Sequence, residues 1–108
     1  MYGLNKETDL TFFLRKELNK VVTNEYQAQL YFGTNICLSI EGEIEINGKA
    51  SEFEQVRCLM GGVVFGITIQ NEGGINILFD DGRYLSVLDS NENYESYQIT
   101  APEINIIV

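Results

Sequence analysis

Histidine and tryptophan are absent from the 108 residues, proline occurs once and cysteine twice, and seven lysines and arginines face sixteen aspartates and glutamates. Each shortage excludes something. Without histidine there is no Ser-His-Asp or Cys-His nucleophile and no zinc or iron site of the usual kind. No Gly-x-Gly-x-x-Gly or Walker-type loop occurs either, since Gly61-Gly62 and Gly73-Gly74 fall at strand ends, where turn geometry accounts for them. A pair of carboxylates could still do acid–base work, but only in a concave site with a shifted pKa. The chain is therefore read as a non-enzyme with no metal and no cofactor. The two cysteines, Cys37 and Cys58, stand in apolar stretches 21 residues apart, a pattern that fits reduced thiols in a core better than a disulfide scaffold.

Long hydrophobic runs are missing as well. The longest uncharged apolar stretch, residues 59–69, carries three glycines and falls well short of the ~20 residues of a membrane helix. Residues 1–10 mix Lys6, Glu7 and Asp9 and lack the apolar centre of a secretory signal. The expected compartment is the cytoplasm, with no membrane partner. At this length one hydrophobic core is expected, hence a single domain over residues 1–108.

Acidity is the strongest property present, with a formal net charge of −9, and it is unevenly spread. Residues 1–20 hold Lys6, Arg15, Lys16 and Lys20 against Glu7, Asp9 and Glu17, whereas residues 21–108 hold thirteen acids against Lys49, Arg57 and Arg83, a net of −10. Such a field repels phosphate backbones and attracts basic protein surfaces, so nucleic acid is not an expected partner. Solubility alone also explains an acidic surface.

The two halves resemble one another. Gln29-Leu-Tyr-Phe-Gly-Thr-Asn-Ile-Cys-Leu-Ser-Ile40 aligns with Asn76-Ile-Leu-Phe-Asp-Asp-Gly-Arg-Tyr-Leu-Ser-Val87 at an offset of 47, and Leu14, Leu18 and Val22 align with Leu59, Val63 and Ile67 at 45. The repeat is expected over about 14–46 and 59–100. Period-two alternation predicts the strands: Val63, Phe65, Ile67 and Ile69 on one face, then Ile75, Ile77 and Phe79 after a glycine-rich turn, and Ala28, Leu30, Phe32, Ile36, Leu38 and Ile40 in the first unit. A further strand, residues 43–46, ends at the turn signal Asn47-Gly48. The expected fold is mainly β: two repeated β-meander units forming a sandwich or open barrel. One short helix near 51–60, capped by Ser51, bridges them, and another short helix is expected at 9–16. Two last strands flank Pro102.

The run Leu78-Phe-Asp-Asp-Gly-Arg-Tyr-Leu-Ser-Val87, followed by Tyr94-Glu-Ser-Tyr-Gln-Ile99 and a final hydrophobic segment, resembles a family of small bacterial proteins of unknown function that pair a Phe-x-Asp-Gly hairpin with a Tyr-Glu-Ser segment. The resemblance covers the second half directly and the first half only through the repeat. It implies a β fold and a bacterial or phage origin, and it implies no activity.

Two places stand out as contact surfaces. Glu41, Glu43 and Glu45 alternate with Gly42, Ile44 and Ile46, so a strand would set three carboxylates on one face within about 14 Å at a rise of ~3.4 Å per residue. An edge strand protected by charge is the plainer explanation. Tyr94, Glu95 and Tyr97 put a glutamate between aromatics, offering an anchor and a charge, or else Glu95 simply pairs with Arg83. Asp89-Ser-Asn-Glu-Asn opens like a calcium loop but has Tyr94 where glycine is required and Thr100 where a bidentate glutamate is required, so an ordinary turn is expected. Together these features suggest a non-catalytic binding module, foremost an immunity-type or inhibitor protein that neutralises a basic protein such as a toxin or nuclease. A small-ligand or nucleotide-sequestering module with Tyr94 or Arg83 in a cleft, and a structural or adaptor subunit that pairs through β edges, including as a homodimer, are the alternatives.

Overall fold

The computed structural model describes residues 9–70, 73–89, 96–102 and 104–107. Ten strands form two five-stranded antiparallel sheets packed face to face, an open sandwich with no closed barrel. The first sheet has the order β1 (Leu18–Thr23), β2 (Ala28–Phe32), β3 (Ile36–Ile40), β9 (Tyr97–Ala101), β10 (Ile104–Ile107). The second has the order β5 (Lys49–Ser51), β4 (Ile44–Ile46), β8 (Tyr84–Val87), β7 (Ile75–Phe79), β6 (Val64–Ile69). Each meander stays in its own sheet, and the hairpin that follows it crosses over: β4–β5 joins β8, and β9–β10 joins β3.

Alternation explains the layering. β2 and β3 are buried at every second residue, and Leu30, Phe32, Leu38 and Ile40 face Ile77, Phe79, Leu85 and Val87 of the other sheet in one continuous core. The tight turn between β4 and β5 takes Asn47 and Gly48 at φ 52° and 84°, the left-handed pair that a two-residue hairpin turn requires.

β1 and β6 meet at the corner between the sheets through a bridge from Glu17 to Val63, and the hydrogen bonds around it come in pairs 46 residues apart. Leu18 N–H donates to Gly62 O at 2.8 Å and Val64 N–H to Lys16 O at 2.9 Å, while Arg15 N–H donates to Val64 O and Gly61 N–H to Leu18 O, both at 2.8 Å. Leu18 thus matches Val64, one residue beyond the Val63 that the sequence alignment selects.

The strand at 63–69 also departs from expectation. Phe65 is 71% exposed and Val64 only 1% exposed, the reverse of the expected faces. The cause is a bulge between Val64 and Gly66 in the pairing with β7, and β1 has its own shift between Leu18 and Lys20 in the pairing with β2. An extra residue in one strand exchanges the faces on either side of it.

The bridging helix is a 3-10 helix, Phe53–Leu59, and the N-terminal one is a 3-10 turn, Thr11–Phe13. Ser51 ends β5, and the cap is Glu52. Its backbone carbonyl accepts from Gln55 N–H at 3.0 Å, while the Gln55 side chain accepts from Glu52 N–H at 2.7 Å. Cys37 is half-buried on β3 and Cys58 is exposed at the end of the 3-10 helix, so neither lies in the core expected for it. No helix among the described residues is long and apolar enough to cross a membrane.

Candidate functional site: an acidic groove

Three segments from different parts of the chain border a groove of about 640 Å³. The β1–β2 loop contributes Thr23, Asn24 and Glu25; the crossover into β4 contributes Gly42, Glu43, Ile44 and Glu45; and the passage from β5 into the 3-10 helix contributes residues 50–54, with Leu88 beside them. Its lining combines Ala50, Phe53 and Leu88, which are apolar and at least partly exposed, with five glutamates, Glu25, Glu43, Glu45, Glu52 and Glu54, while the Ile44 side chain lies in the core. Among the described residues no lysine or arginine lines it.

Local chemistry fixes each wall. Asn24 Oδ1 accepts from Tyr26 N–H at 2.7 Å and Gln27 N–H at 3.0 Å, an Asx turn that sets the loop carrying Glu25. Glu41 and Gly42 N–H both donate to Ser96 O at 2.9 Å, holding the crossover against the first sheet. Glu54 anchors the third wall. One carboxylate oxygen accepts from Thr23 Oγ1 at 2.6 Å and the other from Arg57 Nε at 2.8 Å, and Arg57 reaches on to the Val21 carbonyl at 3.1 Å. Hydrogen bonds from Thr23 and then from Arg57 hold the Glu54 carboxyl below the usual glutamate value, so it is charged at neutral pH.

The ion pairs among the described residues are Glu54 with Arg57 and Asp81 with Arg83. Glu25, Glu43, Glu45 and Glu52 therefore have no cationic partner there. Nor do three or more such side chains gather anywhere among the described residues closely enough to hold a metal ion. A smaller cleft, about 370 Å³, lies by β1, β2 and β3, and its one charged lining residue is Lys20, whose Nζ sits 5.3 Å from the centre of the Tyr31 ring.

Of the residues expected to form a contact surface, Glu43 and Glu45 line the groove, and Glu41 is exposed but outside it. Only Glu45 lies in a strand. That strand is not an edge, because β5 and β8 flank it, so protection of an edge does not explain its charge. Tyr97 is a core residue, 1% exposed, with its hydroxyl donating to Gly73 O at 2.7 Å. Burial pushes its phenol well above the ordinary range, and it cannot serve as a surface anchor. Tyr94 and Glu95, and most of the calcium-like loop, lie outside the described residues. Arg83 pairs with its near neighbour Asp81 at 2.6 Å and donates to the Cys58 carbonyl, away from the groove. Sequence reasoning missed Glu25, Glu52, Glu54 and Phe53, which reach the groove only through tertiary packing.

Comparison with protein families, with characterised proteins and with solved structures finds no match in any of the three.

Proposed function

We propose that this protein is a non-catalytic binding module that neutralises a basic protein partner, as an immunity-type protein or inhibitor does. The observation that carries the reading is the groove: five glutamates beside apolar side chains, four of them without a cationic partner among the described residues. Unpaired charges on a rigid two-sheet scaffold fit a surface that acts by complementarity. The repulsion among them costs the free protein stability that a basic partner would restore.

Immobilised protein is expected to retain a basic protein from an extract of its source cells at low salt and to release it at high salt. Added in solution, it should suppress that protein's activity. Retention of proteins without basic character, or a captured protein whose activity is unchanged, would contradict the reading.

A further inference from the structure

We propose that the groove receives an arginine carried on an extended segment of the partner, with the aliphatic stem on Ala50 and Leu88, the guanidinium plane against Phe53 and its N–H groups donating to Glu43 and Glu45. This rests on the reading above and names what the groove takes. The volume, about 640 Å³, is within the range of roughly 300–1,000 Å³ typical of ligand pockets, room for a short peptide segment and more than a bare ion needs. The lining is divided in kind, with apolar surface at Ala50, Phe53 and Leu88 and carboxylates on the glutamates. A side chain with an apolar stem and a cationic head matches both parts.

Arginine fits better than lysine for two reasons. A guanidinium is more weakly hydrated than an ammonium, and it stacks on aromatic faces while donating to carboxylates from its edge. Phe53 is half-buried, packed against the core at its base, and faces the groove from the start of the 3-10 helix. Next to the groove, the chain already holds a guanidinium by hydrogen bonds, with Arg57 donating to Glu54, Thr23 and the Val21 carbonyl. With Glu54 engaged there, Glu25, Glu43, Glu45 and Glu52 are left, and Glu43 and Glu45, two residues apart on one segment, are the pair assigned to the guanidinium.

The test uses the full chain labelled with nitrogen-15 and titrated with blocked Gly-Arg-Gly, Gly-Lys-Gly and Gly-Leu-Gly peptides and with spermidine, reading amide shifts. The arginine peptide is expected to move amides at 23–25, 42–45 and 50–54 and to bind more tightly than the lysine peptide, with no response to the leucine peptide. Glu43→Gln with Glu45→Gln should weaken the arginine peptide at least tenfold, as expected when charge-assisted hydrogen bonds are lost. Phe53→Leu keeps an apolar side chain at the base of the helix and should weaken the peptide about threefold, the size of an exposed cation–π contact, with the lysine peptide less affected. Shifts spread over the whole acidic surface, equal binding of arginine and lysine peptides, or spermidine competing with no effect of Phe53→Leu would each overturn the proposal. Failure of the peptides alongside salt-dependent capture of a basic protein would reject the arginine assignment alone. Peptide binding without any such protein would reject the neutralising function instead.

Discussion

Arg15 and Gly61 occupy matching places beside the bridge between the sheets, at φ 67° and 86°, and each donates its backbone N–H to the paired strand. A left-handed residue costs roughly 1–2 kcal/mol when it carries a Cβ, so Arg15 bears a strain that Gly61 does not. A Cβ added at Gly61 meets nothing within 4 Å, which isolates the backbone effect from any clash. Gly61→Ala should therefore lower stability by about 1 kcal/mol in urea unfolding, with an unchanged m-value, whereas Arg15→Gly should leave stability equal or raised. A Gly61→Ala variant as stable as the parent would mean that the corner is not held in this conformation. Tyr97 supplies a second residue-scale expectation. Tyr97→Phe keeps the ring in the core and removes the donor to Gly73 O, for a loss of about 1–2 kcal/mol.

Among the elements, the 3-10 helix Phe53–Leu59 is tied to the end of β1 by the Glu54, Arg57 and Thr23 cluster. Glu54 has its pKa lowered in the folded chain from the usual 4.5, so its contribution to stability is complete above that value and is lost as pH falls through the lower, folded value. Glu54→Gln should be slightly less stable than the parent at pH 7 and equal to it at low pH, so that the acid limb of a stability-versus-pH curve measured by thermal unfolding is flatter. An acid limb identical to that of the parent would show that the cluster does not form in solution.

The elements also show what the sequence made legible. Alternation at 28–40 and 75–87 predicts the meanders, because a half-buried strand writes its two faces into every second residue. The bulge at Val64 and Gly66 left no comparable mark, and its one-residue slip misled the faces of β6. The burial of Tyr97 and the flanking of β4 by β5 and β8 depend on the crossover of the two hairpins, a long-range choice that local pattern does not carry. Of the expected glutamate stripe, Glu43 and Glu45 fell at the groove because they follow the crossover, and Glu25 and Glu54 joined them from segments distant in sequence.

For the whole molecule, the net charge of −9 supplies a long-range field and the groove supplies its focus. In the proposed function Glu43 and Glu45 act in the groove as contact and steering charges, whereas Glu41, exposed outside it, adds only to the general field. Their roles separate in the association rate of the captured basic protein, measured by stopped flow at low and high salt. Glu43→Lys with Glu45→Lys should slow association at least tenfold at low salt and lose most of the salt dependence, while Glu41→Lys stays within about threefold of the parent. Unfolding of all three proteins should agree within about 0.5 kcal/mol, because the substitutions are made at solvent-accessible positions. If Glu41→Lys slows association as much as the double variant, net charge alone drives the encounter. If the double variant associates at the parent rate, the groove is not the binding site.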